Sequence, residues 1–365
     1  MKKRLHAIYT MHSINSLAGA LVGVFVPIYF LSLNYSLNQV FLYYLTYGAA
    51  VLASFIATSY FSRHFGLKKA ILAAFPFLFA NIGMLYALDS VYIPLYLIAV
   101  VSAVATSFYW FPLHVFFAEY SSEETMGSNV GKLFAFPQLA AILAPLAGGA
   151  IVIYGGFNVL ILTAGAFYVL STIPLLLIPE LEKSVSFRVS KFAELFKRYP
   201  RYVLIEFVEN IREEMEDIIW PIFVFLTFRN IFSIGIIGSL ASMGSFFFML
   251  FLGRYSDKIE KKIFIKLGAI IMMGLWIARY YAMDEITFYV LTVLASFFGA
   301  LILIPFNAFT YNLAKKDNVA EFILFREINV MLARITVYSL ALIFVSNIAN
   351  LFLIGSFSSI FFLFF

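Results

Sequence analysis

The stretch VENIREEMEDIIWP, residues 208–221, sets five acids between Glu209 and Asp217, with Glu206 just ahead, in a chain that is otherwise strongly apolar. Carboxyl groups at this density can hold a cation, or take up and release a proton as their surroundings change. At 100° per residue, Glu206, Glu209, Asn210, Glu213, Glu216 and Asp217 fall within an arc of about 120°. Glu214 sits off one edge of that arc and Arg212 off the other. Each acid near the middle of a bilayer costs about 2.5–3.5 kcal/mol on an insertion scale, against about −0.5 kcal/mol for a Leu, Ile, Phe or Val. The face must therefore meet water, pair with cations or stay protonated. Glu206 and Glu209 are expected near the inner interface, where charge is cheap. Glu213 and Asp217 lie deeper and need an explanation. A surface helix over 203–217 would leave only 218–228 to cross the bilayer, which is too short.

A second stretch offers partners. EFILFREINVMLARITVY places Arg326, Glu327 and Arg334 inside an apolar run, with Glu327 and Arg334 on one face at i, i+7. These two arginines and Arg212 cannot neutralise Glu209, Glu213, Glu214, Glu216, Asp217 and Glu327 together, so an acid surplus is expected. Such a surplus suits proton or cation handling driven by an ion gradient, with no other cofactor. His114 and Glu119 stand where they could join a proton path, although a lone His among aromatics is more often a packed interfacial residue. Other chemistry is thin. The chain has no cysteine, hence no disulfide or thiolate site, and His6, His12 and His64 show no metal-ligand spacing. GSNVGKL (127–133) is one residue short of a phosphate loop and lacks the Ser or Thr after Lys. No nucleophile–base pair appears, so neither an enzyme nor a nucleic-acid partner is expected.

The elements that position these groups must be membrane helices. The chain is 63% hydrophobic and 12% charged, where a soluble domain carries about 25% charged residues. Apolar windows between charges and turn residues give twelve spans, near 10–32, 38–61, 68–88, 91–118, 130–153, 157–178, 203–227, 231–252, 263–283, 286–312, 321–344 and 349–365. The last is short. The first follows MKKRLHAIYTMHS without a small-residue cleavage site and reads as a retained span. With both termini in the cytoplasm, twenty of the 25 Lys and Arg fall in the N-terminus, the even-numbered loops and the central linker. Arg279 is expected to snorkel outward from its helix end. The expectation is a multi-pass protein of the cell membrane, with lipid and a small-molecule substrate as partners, acting as a monomer.

The linker splits the spans six and six, giving an N-terminal bundle 1–179, a cytoplasmic linker 180–202 and a C-terminal bundle 203–365. FVPIYF matches IWPIFV, TSYFSR matches LGRYSDK, and YWFPLH matches LIPFNA, at offsets of 193 to 195. A duplicated six-helix unit suits a transporter whose bundles rock about a central site. GRYSDKIEKK, with Gly253, Asp257, Lys258, Lys261 and Lys262, resembles the loop signature of the major facilitator superfamily, except that Glu260 takes a glycine slot. The copy SYFSRHFGLKK keeps Arg63, Gly66, Lys68 and Lys69 but has Ser62 for Asp. The resemblance implies an all-α fold of twelve transmembrane helices in two pseudo-symmetric bundles, and a loop that latches one alternating state.

GKLFAFPQLAAILAPLAGG carries Gly131, Pro145, Gly148 and Gly149 at the spacing of the family's antiporter pattern, with Ala140 and Ala144 for two glycines. That likeness, closest to the drug–proton exporters, implies efflux. A helix-packing face could write the same letters. The fourth span also lacks the Arg those exporters use. In the family, helices 1 and 7 line the central cavity. Shifting the acidic face by 194 residues lands on His12, Asn15, Ser16, Gly19, Val22 and Gly23, so the partner wall is polar or small too. The residues expected to couple transport are thus Glu209, Asn210, Glu213, Asp217, Arg326, Glu327, Arg334, Asn15 and His114. Coupled export of a lipophilic or cationic solute is the leading expectation. Proton-coupled import of a neutral metabolite, or a non-transporting sensor or scaffold with this fold, are the alternatives.

Overall fold

The computed structural model describes residues 2–176, 191–255 and 260–365. Among them every regular element is helical. The first span is α1 (Lys2–Val22), a 3-10 turn at Gly23–Phe25, and α2 (Val26–Ser32). The next three are single helices, α3 (Leu37–Phe65), α4 (Leu67–Ala87) and α5 (Leu95–Tyr120). α6 (Met126–Ala141) and the start of α7 (Ala144–Leu176) make the fifth span. The chain reverses within α7 at Gly156, whose φ of +80° suits only glycine, and the rest of α7 is the sixth span. A short helix, α8 (Lys191–Arg198), precedes the second half.

That half opens with α9 (Pro200–Glu214), a π turn at Met215–Ile219, and α10 (Trp220–Phe228), together the seventh span. α11 (Ile231–Tyr255), α12 (Lys261–Tyr281), α13 (Glu285–Lys316) and α14 (Val319–Ile343) are the eighth to eleventh. α15 (Asn350–Ser359) with a closing 3-10 turn is the short twelfth. Eight helical stretches are long and apolar enough to cross a membrane, one of them holding both the fifth and sixth spans. The seventh and eleventh miss that mark because of their internal charges, and the twelfth because of its length.

Local sequence explains the ends. Ser36 caps α3 in a reciprocal box with Gln39. Asp284 caps α13 and Asn318 caps α14. Gly66, at φ +95°, lets α3 end and α4 begin with only that one residue between. The duplication survives as shared irregularity. The 3-10 turn at Gly23–Phe25 and the π turn at Met215–Ile219 overlap at an offset of 194, each just ahead of a proline, Pro27 and Pro221.

Packing within each half is by neighbouring spans: α1 on α7, α5 on α3 and α4, and α13 on α11 and α12. Across the halves, α11 packs along α6 and α7, and α14 along α3. Small residues permit the first of these contacts. A Cβ on Gly131 would stand 3.0 Å from the Gly253 Cα, and one on Gly235 would stand 2.7 Å from the Pro145 carbonyl oxygen. Ser239 accepts a hydrogen bond from the Leu146 N–H (3.1 Å) beside the break between α6 and α7. In the second contact, Tyr44 stacks on Tyr338 with centroids 5.0 Å apart.

Candidate transport site

Between the halves lies a cavity of about 610 Å³. Its first-half wall carries His12, Ser16, Gly19 and Gly23 from the first span, Thr106, Trp110 and His114 from α5, and Gln138 from α6. Its second-half wall carries Asn210, Arg212, Glu213, Glu216 and Asp217 from the seventh span, and Arg326, Glu327 and Arg334 from α14. The two walls differ sharply. One is neutral and aromatic, and the other concentrates charge.

Four ion-pair groups organise the charged wall. Arg212 holds Glu209 in a fork, at 2.8 and 2.6 Å, with its guanidinium over Gly299 of α13. Arg334 reaches Glu214 at 2.5 Å, and the Tyr338 hydroxyl donates to the same carboxylate. Arg279 grips Glu216 with two bonds of 2.7 and 2.9 Å. The Arg279 guanidinium lies between Trp220 and Trp276, 4.2 and 4.7 Å from their ring centres, and is fully buried. Arg326 is shared, standing 3.1 Å from Glu206 and 2.7 Å from Glu327. Tyr202 and Asn210 also donate to Glu206, at 2.9 and 3.2 Å. The two forks, Arg212 on Glu209 and Arg279 on Glu216, are the strong, charge-assisted kind. Truncating one member would strand the other in a low-dielectric interior.

Glu213 and Asp217 stand apart. Both line the cavity, Asp217 with its side chain open to it, and neither makes a hydrogen bond or ion pair to a described residue. Seven carboxyls thus face four guanidiniums in this region. Glu213, Asp217 and one of the pair sharing Arg326 have no arginine of their own. The surplus expected from the sequence is present, though Arg279 makes it smaller than three arginines would have left it.

One polar link crosses between the halves beside this wall. His114 Nδ1 lies 2.5 Å from the Tyr311 hydroxyl of α13, and its Nε2 lies 3.7 Å from Glu327. Trp110 stacks on the same imidazole. Nearer the Lys- and Arg-rich face, Lys315 donates to the Ser121 carbonyl oxygen.

Several expectations need correction. Arg279 does not snorkel outward; the Trp pair and Glu216 keep it inside. Glu206 and Glu209 are not at a wet interface, being 2% exposed and paired. Glu214 is no edge residue but a buried partner of Arg334. The π turn causes part of this, since one extra residue per turn rotates everything beyond Glu214 from a regular 100° arc. Asn15 lines a side pocket and not the central cavity. Of the expected latch, Gly253 packs on Gly131, Gly66 joins α3 to α4, Arg63 is exposed, and Lys261 and Lys262 begin α12. Asp257 and Lys258 lie outside the described residues, as do residues 180–190 of the linker. In the fifth span, Gly148 leaves no room beside the first span, where a Cβ would meet the Leu21 carbonyl oxygen at 2.4 Å. Gly149 faces Gly235 of α11, and Pro145 packs there too. The helix-packing role of that pattern is thus visible.

The sequence reading missed Tyr202, Tyr311 and Tyr338 as carboxylate or imidazole partners. Of these only Tyr202, four residues ahead of Glu206, carried a spacing signal; nothing marks Tyr311 or Tyr338 among 22 tyrosines. Arg279 did carry a signal, an arginine one turn after Trp276 in an apolar helix.

Residues 8–227 match the family model of the Major Facilitator Superfamily, and the chain belongs to that family. Its fold and family make it a membrane-spanning transporter of the secondary type. A curated relative, the uncharacterized protein YqgE of Bacillus subtilis (strain 168), is 26% identical over 357 residues, covering 92% of this chain and 81% of YqgE. Among solved structures, the human organic anion transporter MFSD10 (TETRAN) superposes with a TM-score of 0.76 at 12% identity, over 100% of this chain and 98% of that one. A point variant of the E. coli fucose:proton symporter FucP gives 0.73 at 12% identity, over 99% and 97%. FucP in the outward conformation gives the same values. At these identities the likeness is one of fold.

Proposed function

We propose that the chain couples proton or cation movement through Glu213 and Asp217 to export of a small lipophilic or cationic solute. The observation that carries this reading is the contrast inside one wall. The other acids of the seventh span are held by arginines, while these two face a cavity large enough for a small molecule. A carboxyl without a fixed counter-charge can be neutralised by a proton or by the solute's own positive charge, and competition between them is the simplest exchange mechanism. The charge bias of the loops supports a cytosolic position for the Lys- and Arg-rich face. The Gly/Pro pattern of the fifth span supports the outward direction. The neutral first-half wall favours a second reading, proton-coupled uptake of a neutral metabolite.

The test uses everted membrane vesicles with an acid interior and a pH-reporting dye. Adding tetraphenylphosphonium and a panel of neutral drugs should release protons in the wild type, and Glu213→Gln or Asp217→Asn should abolish the response. Release that persists in both variants would sink the assignment. Accumulation of a neutral solute in intact cells, lost with Asp217→Asn, would favour uptake instead.

A further inference from the structure

A second cavity of about 230 Å³ adjoins the first, inside the N-terminal half. Asn15, Asn81, Ser102, Thr106, Tyr109 and Tyr168 supply its polar lining, and among the described residues no charged side chain borders it. Thr106 and Tyr109 among these groups already have partners. Thr106 accepts from Tyr47 at 3.0 Å, and the Tyr109 hydroxyl lies 2.9 Å from His12 Nδ1. The Asn81 carbonyl oxygen does not: it is buried and has no hydrogen-bond partner among the described residues. A buried acceptor left without a donor is uncommon, and a bound group is one of the few things that explains it.

The junction between the two cavities has its own signature. Gly19, Gly23, Thr106 and Trp110 line both spaces, so the two meet at the glycine face of the first span. A Cβ added to Gly23 would meet nothing within 4 Å, and one added to Gly19 only the Tyr168 hydroxyl at 3.5 Å. Gly148 and Gly235, by contrast, press on neighbouring backbone. Close packing does not require glycine at position 23. An unobstructed passage does.

We infer that the side pocket is a specificity subsite, taking an uncharged hydrogen-bond-donating group, a hydroxyl or amide, of the solute whose remainder occupies the central cavity. The donor goes to the Asn81 oxygen, the tyrosine rings flank the carbon skeleton, and charge is excluded because nothing in the pocket can pair with it. The inference rests on the proposed role of the central cavity as the solute site. It narrows the substrate class to molecules with a lipophilic or cationic part and a neutral donor at a distance from it.

The probes are trimethylammonium compounds joined by one to four methylenes to a phenyl ring, with and without a para-hydroxyl. Binding is measured by calorimetry on the full chain in lipid nanodiscs. For at least one linker length the hydroxyl should tighten binding about tenfold, the gain expected for satisfying one buried acceptor. Asn81→Leu and, independently, Asn81→Ala should erase that gain while leaving the unhydroxylated probe's affinity unchanged, which also shows that both variants are folded. Asp217→Asn should weaken both probes and keep the ratio between them. A hydroxyl that gives no gain at any length, a gain that survives Asn81→Leu, or no binding of any probe overturns the subsite. If the hydroxyl's gain depends on Asn81 but Asp217→Asn weakens neither probe, the subsite stands and the cation reading of the central cavity fails.

Discussion

The two walls of the central cavity come from one duplicated unit yet have opposite chemistry. The face His12, Ser16, Gly19 and Gly23 occupies the same register as Glu206, Asn210, Glu213 and Asp217. Both spans break at the same place, one by a 3-10 turn and the other by a π turn. Backbone irregularity was kept while side chains diverged, small and neutral in one half and acidic in the other. The difference teaches that architecture and coupling separate in this molecule. The fold needs the break and the small residues, whereas the charge belongs to one half alone. Within the acidic wall a second contrast holds, between carboxyls fixed by arginine and carboxyls free to change partner.

The largest expected effect breaks the fixed group. Arg279→Ala should cost about 3–5 kcal/mol by leaving Glu216 without its counter-charge. The readout is loss of folded, monodisperse protein in detergent, while Arg279→Met paired with Glu216→Gln should recover much of it. Glu213→Gln and Asp217→Asn should do the reverse, lowering coupled transport by about tenfold or more with a melting temperature close to wild type. If they unfold the protein while Arg279→Ala does not, the division between fixed and free acids is wrong.

A smaller effect is expected at the link between halves. His114→Phe removes the contacts to Tyr311 and Glu327, worth about 1 kcal/mol. It should raise the reactivity of a cysteine placed at Ser122, beside the Lys315 contact, several-fold toward a membrane-impermeant maleimide. The natural chain has no cysteine, so labelling has no background. The smallest effect lies outside the spans. Ser90 and Asn158 hold the Asp89 carboxyl below the usual carboxylate range. This contribution is present above the ordinary pKa and fades as pH falls through the lowered one. Because the group is fully exposed, Asp89→Asn should leave the melting temperature at pH 7 unchanged within error.

The sequence made the spans, the duplication and the acidic face legible, because hydropathy and offset matches depend only on residue order. It also pointed to α14 as the source of arginines for the seventh span. It did not disclose which acid meets which arginine. That choice depends on rotation about the helix axis, and the π turn at Met215–Ile219 shifts the rotation in a way no regular periodicity anticipates. Arg279 was misplaced for a related reason. A charge near a span's end snorkels unless a partner holds it, and its partner, Glu216, is 63 residues away in sequence. Asn15 was placed on the right helix but in the wrong space, since the side pocket exists only through the packing of α3, α4, α5 and α7 around the first span.

The most direct measurement of the central claim is the number of protons released when tetraphenylphosphonium binds the purified transporter, from calorimetry in buffers of different ionisation enthalpy. The account expects close to one proton per molecule bound in the wild type, and none in the Glu213→Gln, Asp217→Asn double variant. An unchanged proton count in the double variant would contradict it, and would move coupling to the carboxyls that share Arg326.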